Sequence, residues 1–280
     1  MTRPLLVVDG DSFAHRAYHA LPASTYRRSD GRAGNALAGF TTMLLRLWQA
    51  EAPRAVVVGW DTIGEPTYRH GLLPSYQAGR VFDDDLLEQL DLLPVFIRST
   101  GIVNGKRAGF EADDFLGAAV AQEDGRGGCS LVATSDRDAF QLASRTTTIL
   151  QPTKGVSELR RIGPAEVRER YGVEPEQVTD FIALRGDPSD KIPGARGVGE
   201  KTAASLLGQY GTLDALLDAG RFAAEADALR AYRRVATFDP SAPLPDVPDL
   251  VPDWEAGAAA ARELGLDGLA TRLEEAVSTP

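Results

Sequence analysis

Three short apolar runs each stop at an aspartate, and this repeated ending constrains the fold more than any other feature of the 280-residue chain. Leu5-Leu6-Val7-Val8 ends at Asp9, Ala55-Val56-Val57-Val58-Gly59-Trp60 at Asp61, and Leu131-Val132-Ala133-Thr134 at Ser135-Asp136. Runs that are apolar throughout read as strands buried on both faces. Helical spacing separates them. Residues 35–50 carry Leu37, Phe40, Leu44, Leu47 and Trp48 behind a candidate N-cap, Asn35. Residues 84–99 are helical with an expected kink or break at Pro94, and residues 112–122 form a helix opened by acidic residues. Ile102-Val103 and Thr147–Leu150 supply further strands. The alternation predicts an α/β fold with a mostly parallel sheet and helices on both faces. In such sheets ligands bind beyond the carboxyl ends of the strands, so Asp9, Asp61 and Asp136 should meet at one edge.

Six more carboxylates fall in short clusters: Glu111, Asp113, Asp114, Asp138, Asp187 and Asp190. Acidic groups gathered in one place repel one another, and burying an unpaired carboxylate is costly. Hard divalent cations between them would resolve the repulsion. All-oxygen donors point to Mg²⁺ or Mn²⁺ rather than zinc. Two such ions roughly 4 Å apart suit phosphodiester hydrolysis. The alternative is that the acids are helix caps, and Asp114 and Asp138 could each be only that.

From about residue 161 short helical patterns dominate, followed by a proline-rich connector over 238–254 and a terminal helix pair over 255–276. The division expected is an α/β core over 1–160 and a helical region over 161–280. Within the second, Gly186 to Thr202 holds Gly194, Gly197 and Gly199 among Lys191, Arg196 and Lys201. It fails as a P-loop, because Glu200 separates Gly199 from Lys201 and no strand precedes it. A helix–hairpin–helix over about 175–209 fits better. Its glycines would let backbone N–H groups approach a phosphate without reading sequence.

Residues 68–80 interleave Tyr68, Arg69, Tyr76, Gln77 and Arg80, a pattern that suits a single strand through stacking and phosphate contact. An ordinary exposed loop is the alternative. Arg16 and His19 follow the first strand closely enough to reach the same crevice. The net charge of −10 argues against a nucleic-acid partner when taken alone, but metal would neutralise much of it. One cysteine, Cys129, excludes an internal disulfide and fits a reducing cytoplasm. No run is long enough for a membrane span or a signal peptide.

With these pieces in place, the chain resembles the bacterial 5′→3′ exonuclease and flap endonuclease family, found as the N-terminal domain of DNA polymerase I and as free-standing proteins. The matching residues are Val7-Val8-Asp9-Gly10, Arg16 to Leu21, Trp60-Asp61, Tyr68-Arg69, Tyr76 to Arg80, Phe110 to Asp114, Thr134 to Asp138 and the 186–203 stretch. The resemblance implies a PIN-like core, a helical arch at about 62–84 and a helix–three-turn–helix gripping duplex DNA. It implies a first metal on Asp9, Asp61, Glu111 and Asp113. A second would sit on Asp113 or Asp114 with Asp136, Asp138, Asp187 and Asp190. It also implies a K⁺ ion on backbone carbonyls between Gly194 and Gly199, and a DNA-binding set of Tyr68, Tyr76, Gln77, Lys191, Gly194, Arg196, Gly197, Gly199, Lys201 and Thr202. The expected substrates are 5′ flaps, duplex 5′ ends, nicks and gaps. A free-standing, monomeric, nucleoid-associated nuclease is expected. Where the family has lysine in its arch, this chain has Gln77, so Arg80 should supply the missing cation, assisted by Arg69 and Arg16. A non-catalytic DNA-binding protein and a PIN-type ribonuclease are the competing readings.

Overall fold

The computed structural model describes residues 3–277 except Gly155 and Ser157. In chain order its first half comprises β1 (Leu5–Asp9), α1 (Gly10–Ala20), α2 (Asn35–Glu51), β2 (Ala55–Gly59), α3 (Tyr68–Leu72), α4 (Asp84–Ser99), β3 (Val103–Gly105), α5 (Ala112–Gly125) and β4 (Ser130–Ala133). Then come β5 (Thr147–Lys154), β6 (Glu158–Ile162), α6 (Pro164–Tyr171), α7 (Val178–Arg185), α8 (Glu200–Tyr210), α9 (Leu213–Asp218) and α10 (Ala226–Ala236). Helices α11 (Trp254–Glu263) and α12 (Asp267–Val277) end the described chain. The strands form one sheet in the order β3-β2-β1-β4-β5-β6. All pairings are parallel except β5–β6, an antiparallel hairpin that the sequence reading did not anticipate.

Two cores sandwich the sheet. Leu5, Val7, Val57 and Val132 face α5 and the helices of the C-terminal region. Leu6, Val8, Val56 and Val58 face the layer of α1, α2, α4, α11 and α12. Because strand side chains alternate, a strand buried on both sides must be apolar at every position, which is what β1 and β2 show. The terminal pair α11–α12 returns to the N-terminal layer, where the Trp254 and Trp48 rings sit 5.5 Å apart. Residues 254–277 therefore pack with the core rather than with the helical region expected over 161–280.

Two local expectations are corrected, and that of a kink or break at Pro94 is narrowed. Helix α4 runs through Pro94 without a break. Burial of Leu90, Leu93, Phe96 and Ile97 on either side of it outweighs the roughly 3 kcal/mol that an internal proline costs. Asn35 is not the N-cap of α2. Gly34 is, and two N–H groups of the first turn, those of Ala36 and Leu37, donate to Gln89 of α4. Of the arch expected at 62–84, only Tyr68–Leu72 is α-helical. Gln77 and Gly79 take left-handed φ values of 50° and 83°, which turn the chain instead of continuing a helix.

No helix among the described residues is long and apolar enough to cross a membrane.

Candidate active site

The strand ends create the site. At the carboxyl edge of the sheet a cleft of about 1230 Å³ is lined by Asp9, Asp61, Glu111, Asp113, Asp136, Asp138, Asp187 and Asp190, all anticipated, and by Asp11, which was not. Gly10 keeps the first two strand ends together. A Cβ there would lie 2.4 Å from the Trp60 ring, so only glycine lets the indole close over the start of α1. Asp11 then accepts a hydrogen bond from the Asp61 N–H at 2.7 Å and fastens the two ends.

Each carboxylate is oriented by its own local structure. Asp9 caps α1 by accepting from the Ser12 N–H, and its second oxygen accepts from the Thr134 hydroxyl at 2.7 Å. Asp61 accepts from the Ala112 N–H at 2.7 Å at the start of α5. Asp136 stands in the open cleft and accepts from the Asp138 N–H at 2.8 Å. Glu111 is held by two hydroxyls, those of Thr67 and Tyr76, each at 2.8 Å. Asp113 has no hydrogen-bond or ion-pair partner among the described residues. Asp187 and Asp190 come from the turn after α7. The first pairs with Arg185 at 3.1 Å and the second with Arg80 at 3.0 Å.

Crowding shows in the protonation equilibria. Burial first, and then the charges of Asp61 and Asp136, push the Asp9 carboxyl up to about 7 against the pull of its hydrogen bonds. Asp190 is pushed up to about 6 by burial and by Asp136 and Asp187, although Arg80 opposes the shift. Asp11, Asp113 and Asp138 lie well above the ordinary carboxylate range for the same reasons, burial leading. Such a cluster holds protons at neutral pH unless cations replace them, and its donors are all oxygen. Among the described residues no three acidic, histidine or cysteine side chains close tightly round a single point. The carboxylates instead rim an open cleft. That arrangement fits Mg²⁺-like ions, which keep several waters and take only one or two carboxylates directly.

The stability consequence has a definite sign. Raised carboxyl values mean that the folded chain binds protons more tightly than the unfolded chain. Their contribution is fully present below about pH 4 and is lost as pH rises through the folded values, about 6 for Asp190 and 7 for Asp9. In EDTA the melting temperature should therefore fall between pH 5 and 8, by roughly 5–10 °C if a few kcal/mol are involved. Adding Mg²⁺ should recover more of it at pH 8 than at pH 5. A melting temperature flat across this range in EDTA would contradict the crowding.

Three anticipated residues lie outside the cleft. Arg69 and Asp114 form a buried bidentate pair with N–O distances of 2.7 and 2.8 Å, at 2 % and 0 % side-chain exposure. Arg69 also donates to the Val235 carbonyl of α10, and Asp114 accepts the N–H groups of Glu111 and Asp239. Asp114 thus proves to be a cap and a structural anchor rather than a metal ligand, and Arg69 cannot reach a phosphate. Arg16 donates to the Pro152 carbonyl of β5 and does not line the cleft.

The expected stacking tyrosines do not line the cleft either. Tyr76 is 4 % exposed. The half-buried Tyr68 ring carries the guanidinium groups of Arg69 and Arg234, each 4.7 Å from its centre, and does not line the cleft. From residues 68–80 only His70, Gln77 and Arg80 border the cleft. Arg137 borders it too, exposed and without an acidic partner among the described residues. In the sequence its two acidic neighbours, Asp136 and Asp138, mask it.

The hairpin between α7 and α8 has an inner and an outer side. A Cβ on Gly194 would lie 2.5 Å from the Gly186 nitrogen, so Gly194 closes the turn on itself and is not open to a phosphate. Gly197, with φ 77°, and Gly199 have open space beside them. Lys191, Arg196, Lys201 and Thr202 are exposed, and the three cations have no acidic partner among the described residues.

Two family models match the chain, one after the other. Residues 4–172 match the family model for the 5′-3′ exonuclease N-terminal resolvase-like domain, and residues 173–252 match the 5′-3′ exonuclease C-terminal SAM fold. DNA polymerase I of Mycobacterium tuberculosis is 44 % identical over 215 residues, covering 76 % of this chain and 24 % of the polymerase. The chain thus spans about a quarter of that relative's length. A 5′-3′ exonuclease of the same organism is 33 % identical, covering 100 % of this chain and 99 % of its own. A crystal structure of bacteriophage T5 flap endonuclease in a pseudo-enzyme-product complex with DNA and metal ions superposes with a TM-score of 0.68 at 19 % identity. It covers 99 % of this chain and 100 % of that one.

Proposed function

Because the chain belongs to the 5′-3′ exonuclease family, we propose that it hydrolyses DNA from 5′ ends and at the base of 5′ flaps, without sequence preference and with two or more Mg²⁺ or Mn²⁺ ions. The observation that carries this reading is the way the hairpin serves both halves of the task. It contributes Asp187 and Asp190 to the strand-end carboxylates, and a few residues on it presents three cations without acidic partners among the described residues.

Asp9, Asp61, Glu111 and Asp113 would hold one ion, and Asp136, Asp138, Asp187 and Asp190 the other. When bound, such ions lower the pKa of a water and stabilise charge on the leaving oxygen. Arg80, exposed and paired with Asp190, can swing toward a phosphate and offset charge on its non-bridging oxygens. Arg137 is placed to take a phosphate beside it. Lys191, Arg196, Lys201, Thr202 and the open backbone at Gly197 and Gly199 would grip the duplex, with a K⁺ ion on the carbonyls of 194–199 as part of the same clamp.

Neutralising Lys201 should weaken duplex binding alike for all sequences and flatten log K against log salt by about one unit. An unchanged slope, or a sequence-dependent loss, would mean that the hairpin is not the clamp. A panel of a 5′ flap, a nicked duplex and a single-stranded RNA tests the substrate class. The flap should be cut fastest. Preferential cutting of RNA would favour a ribonuclease, and binding without cutting would favour a non-catalytic module.

A further inference from the structure

Two carboxylates on opposite walls of the cleft are joined by a continuous chain of donors. Glu111 belongs to the strand-end wall and Asp190 to the hairpin wall. The Tyr76 hydroxyl donates to Glu111 at 2.8 Å, and the Gln77 amide donates to the same hydroxyl at 2.7 Å. That amide also reaches Asp190 at 3.4 Å, and the Gln77 backbone N–H points to the Asp190 carbonyl at 3.4 Å. Both hydrogens of one NH₂ group are thereby used, one toward each wall. The backbone is bent to allow it, since Gln77 sits at φ 50°, unusual for a residue with a side chain. Such a conformation persists only where its surroundings hold it.

We propose that Gln77 is a positioning residue that couples the two halves of the metal-binding rim. It sets the Glu111 carboxylate through Tyr76 while holding the hairpin's Asp190 at a fixed distance across the cleft. The glutamine in place of a cation then has a purpose of its own. It ties the walls together without adding charge and leaves Arg80 as the group free to move to a phosphate. Groups that orient ligands in this way typically change metal affinity or activity by about 10–100-fold when removed. The inference rests on the proposed metal-dependent reading of the cleft.

The test is Mn²⁺ binding to the DNA-free protein, followed by the electron paramagnetic resonance of unbound Mn²⁺. Five proteins are compared: wild type, Gln77→Met, Gln77→Lys, Tyr76→Phe and the double variant Gln77→Met/Tyr76→Phe. Methionine keeps the length of glutamine and removes both donors. It should weaken binding about tenfold. Lysine, which can donate to Tyr76 and to Asp190 at once, should restore it. Tyr76→Phe, which cuts the chain at its other link while keeping the ring, should weaken binding to a similar degree. Adding Gln77→Met to Tyr76→Phe should cost little more, because a broken chain cannot be broken twice. In single-turnover cleavage Gln77→Met should lower the rate at saturating DNA while leaving duplex affinity unchanged. If Gln77→Met binds Mn²⁺ as wild type does, or if the Gln77→Met and Tyr76→Phe effects simply add, the coupling is wrong. If the wild type itself takes up no Mn²⁺, the metal reading beneath it fails, and the coupling with it.

Discussion

Replacing Asp113 by asparagine should lower cleavage by about 10³-fold or more while leaving the protein as stable as before, or more stable, in EDTA. The two halves of this expectation come from one observation. Asp113 lines the cleft, has no hydrogen-bond or ion-pair partner among the described residues, and carries a carboxyl raised by burial and by Asp136 and Asp9. Without metal its charge is a liability, so a neutral amide of the same shape removes repulsion and breaks no contact. With metal the same charge becomes an asset. A metal ion contributes several kcal/mol to charge stabilisation in hydrolysis, and about 4 kcal/mol corresponds to a thousandfold in rate. Single-turnover cleavage and thermal melting on the same preparation check both halves. An active Asp113→Asn enzyme would remove Asp113 from the ligand set. A strongly destabilised one would make it structural, as Asp114 is.

Arg69→Ala should behave in the opposite way, through stability first. The change would leave Asp114 charged, fully buried and without its bidentate partner. Breaking a buried pair by removing one member costs about 3–5 kcal/mol. For a chain of this size that lowers the melting temperature by roughly 10 °C. Lysine should not rescue it, because a single ammonium cannot reproduce two parallel N–H···O bonds and the third bond to Val235. Replacing both partners by apolar residues of similar volume should recover most of the loss. Urea unfolding of the three variants distinguishes this from a catalytic arginine. A catalytic Arg69 would show wild-type stability with a slowed chemical step.

The sheet and the strand-end acids were legible because they depend on local signals. An unbroken apolar run can hardly be anything but a buried strand, and the residue at its carboxyl end lies at the crevice. The β5–β6 hairpin was less visible, because Glu158–Ile162 is an exposed edge strand whose charged residues mask its pairing. The roles of individual acids were harder still. Asp113 and Asp114 are adjacent, yet one faces the cleft and the other faces Arg69, and only the rotation of α5 decides which. Asp11 was hidden by its neighbour Asp9. Two positions on, across the turn into a helix, it still reaches the same edge. Tyr68 and Tyr76 read as exposed stacking platforms because their partners, Arg234 and Glu111, are distant in sequence. The hairpin's glycines were seen as a group. Their division into a closed pair, Gly186 and Gly194, and an open pair, Gly197 and Gly199, depends on how the turn folds back on itself.

The most direct measurement is cleavage of a DNA substrate bearing a labelled 5′ flap, with Mg²⁺ or Mn²⁺ and in EDTA, with product lengths resolved. The account predicts release of labelled fragments cut at or near the flap base, fast with either metal and absent in EDTA. Cleavage that persists in EDTA, or cuts scattered through the duplex away from the flap, would contradict it.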